Sequence, residues 1–374
     1  MKPIARGMAG LEQFYMPVWE KFDAMFVERL AYAYSNARVK GMSAHLLSQQ
    51  QIDEMLGSRS IAEMMGMLNH TGYREDFVAP AVKYGGADLV EIALGRNMSR
   101  TFAKVVKFTP PRGKELIGAL LDRWDVHNIK TIILAKSVGE KNERIEPFLV
   151  MAGSLGEEKV KELLRFEGVK EVIEGLRGTR YHDALEDAYS QYAAEKEASI
   201  LLSALDRFYY ATLSTRIVAK GRDERVIAGL VKSELDAKNI VNALRAKKAG
   251  MKPEQARSLL FEGGNLTRGD LERLAEADGV EGAVGEVVKN YDLANALKAY
   301  KEDNSLIHFE VELERRIVER GLRALRTSIL SVGAIASFIF LKEEEINNIR
   351  KIVRGMEFGL PREEIRAMVV PIGG

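Results

Sequence analysis

Asp125-Val-His-Asn128-Ile129 leads, through Ala135-Lys136, to Gly139, and further on Asp236-Ala-Lys-Asn239-Ile240 leads, through Ala246-Lys247, to Gly250. The two fifteen-residue spans share six identities without a gap. Towards the C-terminus Glu345-Ile-Asn-Asn348-Ile349 leads to Gly359, again with the glycine eleven residues after the asparagine. The three asparagines stand 111 and 109 residues apart, and a weaker copy comes earlier, at Tyr34-Ser-Asn36-Ala-Arg38-Val-Lys40. A fixed long period in a chain poor in proline marks stacked supersecondary units, each leaving an apolar face that a neighbour must cover.

Working outward, a second block follows each of the first three copies. Leu47-Ser48 with Gln51, and Leu266-Thr267 with Asp270, read as helix starts in which the hydroxyl caps free N–H groups. The middle copy, Leu155-Gly156 with Lys159, lacks that cap. Then come Thr71-Gly-Tyr73, Thr179-Arg-Tyr181 and the drifted Asn290-Tyr291. A long amphipathic helix ends each unit, with matching points at Leu94, Leu205 and Leu313. Apolar residues recur at three- and four-residue intervals, as in Leu11, Phe14, Val18, Phe22 and Met25, and no run alternates as a strand would.

The order is motif, block, long helix, three times over, and then a fourth motif. Linear arrays end in atypical polar caps, whereas this chain ends in a fresh copy. The fourth motif is therefore expected to complete the unit begun by the weak first one, closing three units with approximate threefold symmetry. The expected fold is all-α, with a helical lead-in at 1–31 and units at 32–122, 123–233 and 234–374, the last including the closing motif.

The 374 residues carry 55 Lys+Arg against 54 Asp+Glu, a formal net charge of +1. That balance argues against bulk binding of nucleic acid or anionic lipid, which takes a strong basic excess. With 46% apolar and 29% charged residues the composition is that of a folded soluble protein. Zero cysteines exclude disulfides, a thiol nucleophile and Cys-ligated metal. Residues 1–30 contain Glu12, Glu20, Asp23 and Glu28, so no secretory leader is expected there. The longest apolar run, Ser328 to Leu341, has fourteen residues. That is short of the roughly 20 needed to cross a bilayer, and a buried core segment is expected.

Catalytic signatures are missing. Gly113-Lys114 is followed by Glu115 and has no phosphate-loop glycine before it, and neither GxGxxG nor GxSxG occurs. No two of His45, His70, His127, His182 and His308 lie within five residues, so no helical zinc pair forms. His127 lies in the motif, but its counterpart is Lys238, which favours a solvated role. For Asp125, Asn128, Asp236 and Asn239, helix capping and contacts between units explain the identity better than a duplicated catalytic pair. Met55, Met64, Met65 and Met67 are expected to pack in the core. Arg315, Arg316, Arg320, Arg323 and Arg326 alternate with glutamates, which reads as a solvated, ion-paired face.

Tyr32-Ala-Tyr34-Ser-Asn36-Ala37-Arg38-Val39-Lys40-Gly-Met42 resembles the opening motif of the C subunits of archaeal A-type and bacterial V/A-type ATP synthases, a family that includes the d subunit of the vacuolar proton pump. Asp125 through Asn128 to Lys136, and Asp236 through Asn239 to Arg245 and Lys247, resemble its two internal elements. Leu341-Lys342 through Glu345, Asn348 and Arg350 resembles its C-terminal segment. The likeness runs from about residue 32 to 366, with four motifs in the family's order. Two departures stand out: Leu134 occupies the place of an arginine, removing an ionic contact in the second unit, and the lead-in lies outside the match.

The resemblance implies three helical units around a funnel-shaped cavity, in a rotor component with no catalytic, cofactor or metal residues. It implies a seat on the cytoplasmic face of the membrane proteolipid ring, with the cavity receiving the central stalk, made of the D and F subunits. It implies no membrane insertion and no nucleic-acid partner. Equivalent loops at 57–60, 165–168 and 276–279 are the expected ring contacts. The competing readings are a generic helical-repeat scaffold that binds other proteins and an enzyme whose site leaves no motif.

Overall fold

The computed structural model describes residues 18–217 and 221–372; the first part of the lead-in, 1–17, lies outside the described residues. Among the described residues the chain is all-α, with no strand. Seven long helices carry the fold: α1 (Val18–Ser43), α2 (Gly86–Phe108), α3 (Pro111–Ser137), α4 (Ala198–Arg216), α5 (Arg222–Lys248), α6 (Ile307–Thr327) and α7 (Val332–Glu357). The four motif copies fall on α1, α3, α5 and α7, and the long helices that end the units are α2, α4 and α6. The unit boundaries drawn at 31/32, 122/123 and 233/234 fall inside α1, α3 and α5, so one unbroken helix carries the chain across each boundary.

The recurring glycines set where the motif helices stop. Gly139, Gly250 and Gly359 adopt φ of 71°, 68° and 68°, the left-handed region where a side chain is strained. This lets the next N–H fold back onto the last turn of the helix. Glu140 N–H donates to Ala135 at 2.9 Å, Met251 to Ala246 at 3.0 Å and Leu360 to Gly355 at 2.9 Å, the same C-cap three times. The expected N-caps are present too. Ser48 exchanges hydrogen bonds with Gln51 at the start of Gln49–Gly57, and Thr267 does so with Asp270 at Arg268–Glu276. Gly156–Arg165 has no side-chain cap.

From Val332 onward the longest apolar run lies on α7, where every residue to Glu343 is buried, whereas Ile329, ahead of the helix, is exposed. At about 1.5–3 kcal/mol for each large apolar side chain withdrawn from water, Phe338, Ile339 and Leu341 alone contribute several kcal/mol. Helix α7 packs against α1, α2, α3, α5 and α6, which makes it the axle of the body. Met55 and Met64 are buried in the same core as α7, with Met65 and Met67 packed against it. A separate cluster around Ile240, Leu274, Val284 and Phe309 fills the third unit. Among the described residues, no helix is long and apolar enough to cross a membrane.

Candidate functional site

The repeat residues build one polar anchor three times. Each motif acid reaches a loop and a tyrosine of the second block. Asp125 accepts from Ser154 N–H at 2.8 Å, Leu155 N–H at 3.1 Å and Tyr181 O–H at 3.0 Å. Asp236 accepts from Asn265 N–H at 2.9 Å, Leu266 N–H at 3.0 Å and Tyr291 O–H at 2.6 Å. Glu345 accepts from Leu47 N–H and, at 2.7 Å, from Tyr73 O–H. The third set therefore links the fourth motif to the block after the first. Gly153 and Gly264 make the first two approaches possible, because a Cβ at either would collide with the motif carboxylate.

All three acids are buried. Burial raises the Asp125 carboxyl above its ordinary range, against the pull of the Leu155 N–H and Ser154 hydroxyl. The tyrosines respond to the same environment. Burial, then the Glu345 charge, pushes the Tyr73 phenol far up, and burial with Asp125 or Asp236 does the same to Tyr181 and Tyr291. The phenols thus stay protonated and act as fixed donors. Glu345 also takes Lys342 at 2.5 Å, whose ammonium lies over the Tyr73 ring.

The motif asparagines form a second anchor. Asn128 exchanges two hydrogen bonds with the backbone of Val150, both 2.8 Å, and Asn239 does the same with Phe261. Asn348 does so with Val370, at 2.6 and 2.9 Å. In each case the partner lies 22 residues downstream. Asn36 breaks that spacing and exchanges bonds with Ser331, the N-cap of α7, at 2.9 and 3.2 Å. Backbone pairing of this kind satisfies buried peptide groups that no helix reaches.

The remaining motif residues play smaller parts. Lys136 donates to Asn142 and Lys247 to the carbonyl of Ala275, both at 2.5 Å. Arg350 grips Glu91 with two nitrogens, at 2.9 and 2.6 Å, tying α7 to α2. Arg245 pairs with Glu310 at 2.7 Å, whereas Leu134 in the matching place is exposed. Tyr34 is exposed and accepts from Arg38 at 2.8 Å. His127 faces solvent with its ring edge-on to Trp124, as expected.

One cluster has no signal in the sequence. Two residues before each acid stand Arg123, Glu234 and Glu343, and these three matching positions meet in space. Arg123 holds Glu234 through two nitrogens, at 2.9 and 3.2 Å, and Glu343 at 2.9 Å. Trp124 donates to Glu343 at 3.0 Å. Burial pushes the Glu343 carboxyl up to about 7, with Arg123 opposing and Glu234 reinforcing the rise. The residue types differ between copies, so identity alone passes over them. Beside the cluster, between α5, α6 and α7, lies a cavity of about 320 Å³ walled in part by Arg245, Glu310 and Glu314. Among the described residues no group of three or more metal-ligating side chains is assembled. The acids of the repeat are committed to backbone N–H groups and phenols, together with the Ser154 hydroxyl, the Asn265 amide and the Lys342 ammonium, a holding arrangement.

Comparison with known proteins agrees with this structural character. The family model described as ATP synthase (C/AC39) subunit matches residues 35–368. The C subunit of the A-type ATP synthase of Methanosarcina mazei is 33% identical over 344 residues, 91% of this chain and 93% of the relative. The protein of that name from Halorubrum lacusprofundi is 32% identical, covering 90% of this chain and 97% of its own. That of Methanocaldococcus jannaschii is 29% identical over 95% of this chain and 90% of the relative. The chain belongs to the ATP synthase (C/AC39) subunit family, and so to the non-catalytic subunits of rotary ATP synthases.

Proposed function

We infer that the chain is a central-rotor component that couples the central stalk, made of the D and F subunits, to the membrane proteolipid ring in proton- or sodium-linked ATP synthesis or hydrolysis. It acts as a peripheral protein on the cytoplasmic face of the membrane. The observation that carries this reading is the meeting of Arg123, Glu234 and Glu343. Units arranged about a common centre would bring matching positions on three repeat helices together in this way. This supports three units in a pseudo-threefold, funnel-shaped body, with the stalk seated at its middle. A torque coupler must be stiff, and dense packing together with satisfied buried polar groups supplies stiffness. The thirteen repeat residues serve here as structural anchors. The short loops at 57–60, 165–168 and 276–279 occupy equivalent places between paired short helices, and are our candidates for the ring contacts.

Affinity capture of the tagged full chain from native membranes tests the reading. Recovery of proteolipid and stalk proteins together, and release of the chain without detergent once the complex is taken apart, is the expected result. A chain found only in the cytosol, with unrelated partners, would favour the scaffold reading instead. Replacing the three loops by Gly/Ser segments is expected to abolish capture of the ring while sparing capture of the stalk.

A further inference from the structure

The second and third units carry the same site in two chemical states. Three residues before the motif acid, the second unit has Asp122 and the third has Ser233. Asp122 is buried and takes Arg180 at 2.5 Å, Arg216 at 2.6 Å and the Ser154 hydroxyl at 2.7 Å. Its carboxylate thus fills its own cation pocket, and the space left there is about 10 Å³. In the third unit the carboxylate is gone but positive charge remains. Where the second unit has Phe208 and Thr212, the third has Arg316 and Arg320, and Lys289 joins them.

The result is a surface cavity of about 520 Å³ lined by Lys289, Arg316, Arg320, Ser233, Asn265 and Asn290, with Leu313 and Ile317 as its apolar wall. Among the described residues, no Asp or Glu lines it. Ser233 Oγ accepts from Arg320 at 2.5 Å, in the role that Asp122 fills in the second unit. Arg316 donates to the Asp292 carbonyl at 2.7 Å. Its Nε forms an ion pair with Glu312 at 3.4 Å along the helix. Gly229 leaves room for the Arg320 guanidinium, which a Cβ there would meet at 2.9 Å.

We propose that this cavity binds an oxyanion of the phosphate class, carried by a small soluble molecule, in the place the Asp122 carboxylate holds in the second unit. Two guanidinium groups offer forked donors that match phosphate oxygens, and an ammonium adds a third charge. The Asn265 and Asn290 amides supply neutral donors, while the Ser233 hydroxyl donates to the Gly229 carbonyl at 2.9 Å, and the volume is that of a small-molecule site. The proposal does not depend on the rotor reading, because it rests on the chain's own internal comparison.

Titration calorimetry of the full chain with sodium pyrophosphate, against sodium chloride at matched ionic strength, tests it. The wild type is expected to show saturable binding to pyrophosphate and none to chloride, with inorganic phosphate weaker. Ser233→Asp gives the third unit the internal carboxylate that the second unit already tolerates beside its motif acid. It is expected to raise the pyrophosphate Kd about ten- to a hundredfold while the helical circular dichroism stays unchanged. Arg316→Gln is expected to weaken binding in the same direction, and Arg180→Gln in the second unit to leave it unaltered. Absence of saturable pyrophosphate binding in the wild type, or equal binding in Ser233→Asp, overturns the proposal.

Discussion

The acid anchors of the second and third units close over short distances in the chain, and the remaining one does not. Asp125 and Asp236 reach loops about 30 residues downstream, whereas Glu345 reaches back 298 residues to Leu47. The bonds are alike, and so is their burial. What differs is what each holds: the first two fasten a loop to its own helix, while the third fastens one end of the chain to the other. Geometrically equivalent sites can therefore carry unequal shares of the global fold.

The sharpest way to break this comparison is Glu345→Ala against Asp236→Ala. Losing Glu345 leaves Lys342 buried without its carboxylate and frees Leu47 and Tyr73. The expected cost is about 3–5 kcal/mol in urea unfolding, with hydrogen exchange rising together in α7 and in Gln49–Gly57. Losing Asp236 strands only neutral donors, at about 2–3 kcal/mol, with faster exchange confined to the third unit. Matching exchange patterns in the two variants would show that the chain ends are not specially coupled.

The asparagines give a smaller and cleaner contrast. Asn36→Ala and Asn239→Ala each leave one N–H and one carbonyl unpaired, at about 2 kcal/mol. Equal losses are expected by chemical denaturation, but only the Asn36 variant should speed exchange at the start of α7, where Ser331 caps it.

The cluster at Arg123 adds a pH dependence to the comparison. In the fold the Glu343 carboxyl sits at about 7 instead of its ordinary 4.5. The folded chain therefore holds a proton that the unfolded chain releases between those values. This contribution to stability is complete below the lower value and is lost as pH rises through the upper one, at no more than about 1.4 kcal/mol per pH unit. Glu343→Gln should flatten that part of a thermal-melting profile, and an unchanged profile would place the proton elsewhere. The smallest contrast concerns the caps: Ser48→Ala and Thr267→Ala should each cost about 1 kcal/mol. Of the two, only Ser48→Ala disturbs a segment held by the C-terminal motif, so it alone should worsen further in a Glu345→Gln background.

Much of this was legible in the residues. The equal spacing of Asp125, Asn128 and Gly139 with their copies located the long helices and their stops. The extra motif at Glu345 pointed to closure onto the first unit. Tyr73, Tyr181 and Tyr291 stood out as a repeated block, though not as donors to the motif acid. What stayed hidden has physical reasons. The asparagines bond to peptide groups, and Val150, Phe261, Val370 and Ser331 bear no mark of that role in their side chains. Arg123, Glu234 and Glu343 differ in charge because they complement one another, so their likeness of place leaves no likeness of residue. Arg316 and Arg320 read as part of a solvated stripe, and only the packed structure turns them towards a cavity.

The long reach of Glu345 and of Asn36 has a consequence for biosynthesis. As the polypeptide emerges from the ribosome, Leu47, Tyr73 and the face of α1 that Ser331 will cover must wait for nearly 300 further residues. The second unit, by contrast, can assemble its acid and asparagine anchors as soon as Tyr181 has been made. Folding is thus expected to begin in the interior of the chain and to finish at its ends, in keeping with the slowness of contacts distant in sequence. During that interval the first unit is the part most in need of a chaperone. A circular permutant joining the present termini would shorten the wait and fold faster.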